Sequence, residues 1–162
     1  MGQMLHTPRL DLVLMEDAEA RALSDGCQRN AHPWAIGYPL ASSLLRAEMT
    51  LAAKAQERPL GVFGTYQVIR RADGNVIGDV GFLGPPDATG AVSIGCAIAK
   101  DARGQGYATE ALTALLDWAR RQEGLTCVLA DTTRSNLASQ RLLERVGLHR
   151  VGEDGELLYY ML

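Results

Sequence analysis

In Arg9-Leu10-Asp11-Leu12-Val13-Leu14 polar and apolar side chains alternate at the start, as in a strand, and Glu16-Asp17 then open a run of helix formers that reaches Ala22. Residues 30–39 carry Pro33, Gly37 and Pro39 among Trp34, Ile36 and Tyr38, which is loop chemistry with unusually large apolar side chains. Such a loop binds a ligand or folds back onto the core. Leu44, Leu45, Met49, Leu51 and Ala52 fall near helical spacing and predict a helix over residues 42–56, ending before Arg58-Pro59 because the residue ahead of a proline disfavours helical backbone. Strand periodicity then takes over. Residues 63–70 and 76–83 flank the tight-turn signal Asp73-Gly74-Asn75 and predict a hairpin, and a second turn at residues 85–90 leads to a strand over residues 91–99. In that strand Val92, Ile94, Cys96 and Ile98 share one face.

After Gly106 the period changes again, with Ala108, Ala111, Leu112, Leu115, Leu116 and Ala119 covering one face of a helix that runs until Gly124. Residues 126–130 read as a short buried strand. Asn136 is placed to cap a helix that runs through Arg145, with Gly147 at the stop, and residues 148–161 form a closing hairpin around Gly155. No repeat or low-complexity segment interrupts the pattern, so residues 1–162 are expected to form one domain.

Composition narrows the function classes. A chain of 162 residues with 47% hydrophobic content can bury the core of one ordinary domain. A net charge of -3, with acidic and basic residues mixed along the chain, offers no basic face for nucleic acid. Cys27, Cys96 and Cys127 are odd in number and far apart, so neither a disulfide framework nor a cysteine zinc site is suggested. Cys96 and Cys127 read as core residues. His6, His32 and His149 are dispersed, so no metal is expected. The opening Met1-Gly2-Gln3-Met4-Leu5-His6 lacks the pattern of a signal peptide and no apolar run approaches bilayer length, so a cytoplasmic protein without membrane contact is expected.

The most informative stretch is Arg103-Gly104-Gln105-Gly106-Tyr107-Ala108-Thr109-Glu110, between a strand and an amphipathic helix. Two glycines let the backbone turn tightly and approach a ligand, and the free N–H groups and positive dipole end of the helix favour an anion such as a diphosphate. A purely structural turn is the alternative. The stretch is not a Rossmann fingerprint, since Thr109 stands where a third glycine belongs, and it is not a P-loop, since no Gly-Lys-Ser or Gly-Lys-Thr follows.

Arg103-x-x-Gly106-x-Ala108 resembles the coenzyme A signature of the GNAT superfamily of N-acetyltransferases, and residues 136–148, starting at Asn136 with Ser139 three residues on, are similar to that family's second motif. The opening Thr7-Pro8-Arg9-Leu10, Thr109-Glu110-Ala111 and the Trp34 loop resemble the branch that contains ribosomal-protein N-terminal acetyltransferases. The resemblance implies an α/β (α+β) fold: a mixed, mostly antiparallel, seven-strand-like twisted sheet flanked by about four helices. It implies acetyl transfer from acetyl-coenzyme A to a primary amine, a peptide N-terminus or a small molecule, by direct attack in a ternary complex. It further implies that residues 103–109 hold the pyrophosphate, with Gly104, Gln105, Gly106, Tyr107, Ala108 and Thr109 beside Arg103. The strand ending at Ile98 would pair with the pantetheine arm, and Asn136 and Ser139 would complete the cofactor site. A dimer is common in that family, but no stretch identifies an interface.

Two departures matter. The tyrosine that many members place seven residues after the motif asparagine is Leu143 here, so that role is vacant or filled by another group; the resemblance to the branch implies Ser139 as a candidate partner for the thiol, with a first-turn residue satisfying local backbone as the other reading, and the glutamate often found two residues before Gly95 is Ser93. The general base is therefore unassigned, with Asp79 and Asp131 as replacements weighed against turn or cap roles. Glu110 is explained by the helix dipole alone. Trp34 and Tyr38 are candidates for an acceptor wall, with packing over the long helix as the other reading. A catalytically silent coenzyme A-binding or interaction module is the alternative function.

Overall fold

The two periods in the sequence are realised in a computed structural model that describes residues 2–28 and 32–162. Met1 and the first residues of the expected loop, Asn30 and Ala31, lie outside the described residues. The strands are β1 (Met4–His6), β2 (Leu10–Leu14), β3 (Thr65–Arg70), β4 (Asn75–Phe82), β5 (Ala91–Ile98), β6 (Cys127–Thr133), β7 (His149–Asp154) and β8 (Leu157–Met161). They form one sheet in the order β1-β2-β3-β4-β5-β6-β8-β7. The mixed, mostly antiparallel sheet expected from the sequence is present with one strand more than the seven foreseen. The extra strand is β1, where Leu5 lies opposite Leu12; three residues are too few to display a period.

The helices are α1 (Asp17–Asp25), α2 (Ala41–Ala55), α3 (Tyr107–Ala119) and α4 (Leu137–Arg145). Alternation along the strands divides apolar side chains between two faces. On one face α3 delivers Leu112, Leu115 and Leu116 onto Tyr66, Val80, Phe82 and Val92, and Leu143 of α4 joins the same core. On the other face α1 and α2 bury Leu23 and Ala47 against Ile69, Val76 and Tyr38. Burying each leucine contributes about 1.5–3 kcal/mol against leaving it exposed.

Among the named strands of the described residues only β5 and β6 pair in parallel, because α3 carries the chain across the sheet between them. Their ladder is short: Ala91, Val92 and Ser93 pair with Cys127, Val128 and Leu129, and no pairing continues beyond. From Ile94 to Ile98, β5 keeps its antiparallel partner β4, as in Gly81 with Gly95 and Asp79 with Ala97. β6 meanwhile follows β8, with Asp131 opposite Tyr159 and Thr133 opposite Leu157. The sheet therefore opens between β5 and β6 at the end that leads into α3.

Candidate active site

The opening between β5 and β6 becomes a cleft of roughly 650 Å³ where α3 and α4 close over it. One wall is Cys96, Ala97 and Ile98 of β5, another is Arg103, Gly104, Gly106, Tyr107, Ala108 and Thr109, and the third is Asn136, Ser139, Arg141 and Arg145 of α4 and its cap. Nine of the ten residues proposed from the sequence as the cofactor site thus meet around one space. Gln105 does not line the cleft: its carbonyl accepts from Arg9 Nη1 at 2.9 Å and its amide reaches the Asp101 carbonyl at 3.4 Å.

Gly104 and Gly106 have φ of 75° and 81°, the left-handed region where a side chain is strained. Gly106 is the N-cap of α3, and no side chain caps that end, so the first amides of a 13-residue helix are left for another acceptor. Arg103 folds back so that its Nε donates to the Ile98 carbonyl at 2.8 Å, tying the loop to the end of β5. On α4, Asn136 Oδ1 accepts from the Ser139 amide at 3.1 Å, the cap that its position predicts. The Ser139 hydroxyl is half-buried in the cleft wall, and Arg145 Nη1 reaches Thr109 Oγ1 at 3.3 Å across to α3.

A clamp behind the loop escaped the sequence reading. Glu110 Oε1 accepts from Thr7 Oγ1 at 2.6 Å and from the Arg9 amide at 2.9 Å, while Oε2 accepts from Arg9 Nε at 2.7 Å. The Arg9 guanidinium also lies over the Tyr107 ring, 4.4 Å from its centre. Burial alone would raise the Glu110 carboxyl, but the hydrogen bonds from Thr7 and Arg9 outweigh it and hold the group below its ordinary range. Glu110 is thus more than a helix-dipole residue, since it ties α3 to the turn before β2. Thr7-Pro8-Arg9 was visible as an opening motif, yet nothing local in the sequence joins it to a residue 101 positions away.

The other face of β5 holds a second polar group. Asp79 is fully buried, takes a hydrogen bond from the Ser43 hydroxyl, and lies 3.3 Å from Arg46 Nε. Gln67 Nε2 donates to Tyr38 Oη at 3.3 Å beside them. Burial pushes the Asp79 carboxyl up, with Arg46 and Ser43 opposing. The Tyr38 hydroxyl is also raised, first by burial and then by the Asp79 charge. Trp34 meets Tyr38 edge to face at 6.1 Å, and neither lines the cleft, whereas Ile36 between them is 83% exposed. Asp131 is exposed and also outside the cleft wall. Cys96 faces the cleft, but burial pushes its thiol up to about 12, so a thiolate nucleophile is not formed there. Among the described residues no helix is long and apolar enough to cross a membrane, and no group of three His, Cys, Asp or Glu could hold a metal ion.

Known proteins share the fold. The acetyltransferase (GNAT) domain family matches over residues 9–149. An uncharacterised N-acetyltransferase of Bacillus subtilis, YjdG, is 33% identical over 100 residues, and the chain spans 60% of that relative's length as well as 60% of its own in the match. The ribosomal-protein-S5-alanine acetyltransferase of Vibrio fischeri superposes with a TM-score of 0.71 at 16% identity, covering 99% of this chain and 96% of that one. RimL, a ribosomal L7/L12 α-N-protein acetyltransferase whose structure contains coenzyme A, superposes with a TM-score of 0.70 at 15% identity over 99% of this chain and 97% of its own. With the family matched from β2 to the start of β7 and the sheet opened in front of α3, this chain belongs to the GNAT acetyltransferase domain family.

Proposed function

We propose that the protein transfers an acetyl group from acetyl-coenzyme A to a primary amine by direct attack within a ternary complex. The observation that carries this reading is the unpaired edge of β5 running, within one cleft, into the uncapped N-terminus of α3. An extended amide chain can pair with the free strand edge, and a diphosphate suits free helix amides. Arg103, Arg141 and Arg145 add positive charge around the same space. The coenzyme A in RimL, a neighbour in fold, and the N-acetyltransferase name of the Bacillus subtilis relative support the same assignment.

Acetyl-coenzyme A supplies the activated thioester. In the transfer the amine nitrogen bonds to the thioester carbon, the carbon–sulfur bond breaks, and sulfur leaves as thiolate. The acylated nitrogen sheds one proton and the sulfur gains one, so the chain must hold the reactants and relay that proton from nitrogen to sulfur. Ser139, in the cleft wall with its amide already engaged by Asn136, has its hydroxyl available as that donor. Leu143, at the position where many relatives carry tyrosine, is packed in the core at 5% exposure and has no proton to give. The burial of Cys96 argues against an acetyl-cysteine route.

Leu143 and Ser93 also favour a second reading, a coenzyme A-binding module without turnover. Release of thiol from acetyl-coenzyme A in the presence of a panel of peptides and small amines separates the two. Thiol release with any amine supports the transferase; binding of acetyl-coenzyme A with no release across the panel moves the assignment to the silent module.

A further inference from the structure

The cleft carries more positive charge than a diphosphate uses. Arg103, Arg141 and Arg145 line it, and no aspartate or glutamate does. Seven arginines elsewhere among the described residues pair with a carboxylate, whereas these three do not. Arg103 is committed to the loop through the Ile98 carbonyl, and Arg145 holds only Thr109 Oγ1. Arg141 has neither a hydrogen bond nor an ion pair among the described residues. Glu144 follows Arg141 at a spacing that allows pairing on a helix, yet the two do not meet and Glu144 stays out of the cleft wall. The cleft-facing stripe of α4 is Ala138, Arg141, Leu142 and Arg145. Arg141 and Arg145 therefore stand one turn apart, about 6 Å along the axis. Like charges at that spacing weaken a helix, and an anion between them removes the penalty. Both arginines are exposed, so the space in front of them is open to a ligand.

We infer that Arg141 and Arg145 form a phosphomonoester subsite that receives the 3'-phosphate of coenzyme A, apart from the glycine loop, and that the pair makes the protein select coenzyme A over its 3'-dephospho form. The inference rests on the coenzyme A reading of the same cleft. Charge supports the assignment: a phosphomonoester carries about 1.5 to 2 negative charges near neutral pH and offers three acceptor oxygens. That is a match for two cationic forks, each able to donate two parallel hydrogen bonds. Position supports it as well. The contact of Arg145 with Thr109 sets the pair beside the first turn of α3, where the free helix amides and Arg103 suit the diphosphate. The 3'-phosphate is borne by the same ribose as the diphosphate, so a ligand anchored at the helix start brings its second anion to the neighbouring wall.

The test is calorimetric titration of the full chain with acetyl-coenzyme A and with its 3'-dephospho form, in wild type, Arg141→Gln, Arg145→Gln and the double variant. The expected wild-type result is a preference of about 10–100-fold for the 3'-phosphorylated form, the scale of charge-assisted hydrogen bonds lost in binding. Each single variant should narrow that preference, and the double variant should bring the two forms to within about threefold of each other. Arg121→Gln, which removes an exposed charge beyond the far end of α3, should keep the wild-type ratio and shows that net charge alone is not the cause. Equal binding of both forms by the wild type would overturn the assignment, and so would a full preference retained by the double variant. An equal loss on both forms in the double variant would overturn it too, since that is the mark of arginines that serve the diphosphate. Failure of the wild type to bind either form would instead overturn the coenzyme A reading beneath it.

Discussion

Residues that hold the glycine loop come from a segment a hundred positions earlier, and their chemistry sets a specific expectation. Arg9 binds the Gln105 carbonyl and the Glu110 carboxylate together, so Arg9→Ala should free the loop while leaving the Ser139 wall intact. The expected outcome is a rise of about tenfold in the KM for acetyl-coenzyme A with kcat little changed, as for loss of a charge-assisted hydrogen bond that acts in binding. The same clamp is acid-sensitive. Because the folded Glu110 carboxyl lies below its unfolded value, its contribution is complete above the unfolded value and is lost as pH falls through the folded one. Affinity for acetyl-coenzyme A should therefore hold down to about pH 5 and weaken in more acid solution. Binding measured from pH 7 to 4 checks this, and Glu110→Gln should be weak throughout and lose the acid step. At this scale the sequence showed the cleft residues well, because Gly104, Gly106, Asn136 and Ser139 act through local backbone. It did not show the Arg9–Glu110 clamp or the Arg46–Asp79 pair, because Asp79 lies 33 residues beyond Arg46 and only the sheet register brings them together. Trp34 and Tyr38 look like ligand-binding aromatics in the sequence; the structure buries Tyr38 beside Gln67.

Elements present these residues through their ends. α3 offers its N-terminus to the cleft because Gly106 adopts a left-handed backbone that begins the helix without a capping side chain. α4 has the opposite arrangement, a side-chain cap at Asn136 that fixes where Ser139 points. Asn136→Ala should cost about 1 kcal/mol of stability and lower kcat as Ser139 loses its fixed amide. Denaturant melting and steady-state kinetics on that variant check both halves, and a stability loss with kcat intact would argue against Ser139 as proton donor. The strong periods of α2, α3 and β3 to β5 were legible, with ends shifted by only one or two residues except at the end of α3, which stops at Ala119 and not at Gly124. The eighth strand was missed for want of length. The opening between β5 and β6 is also absent from any pattern of side chains, since it consists of backbone pairing that stops after Ser93.

Across the whole molecule, the sheet separates two chemistries. α3 and α4 cover one face and gather arginines, free amides and Ser139 around the cleft. α1 and α2 cover the other face and bury the Arg46–Asp79 pair under Tyr38 and Ser43. β5 is the shared wall, its edge open to one side and Gly95 covered by the Arg46 guanidinium on the other. A second cavity of roughly 450 Å³ lies at the far end of α2 against α1, lined by Met15, Thr50 and Leu60, and contains none of the cleft residues. The central claim is thus the placement of the coenzyme at the α3 end of the larger cleft. Calorimetric titration with acetyl-coenzyme A of the wild type and of Gly106→Asp tests it most directly. At Gly106 a side chain is strained by the φ of 81° and its Cβ would stand 3.3 Å from Arg9 Nη2, so the fold of the variant is checked first; in the folded variant a carboxylate on this loop adds negative charge beside the proposed phosphate position. The account predicts saturable one-site binding to the wild type and a loss of at least about 100-fold in the folded variant, the scale of a like-charge contact in a desolvated site. Undiminished binding by the folded Gly106→Asp protein, or no binding by the wild type, would contradict it.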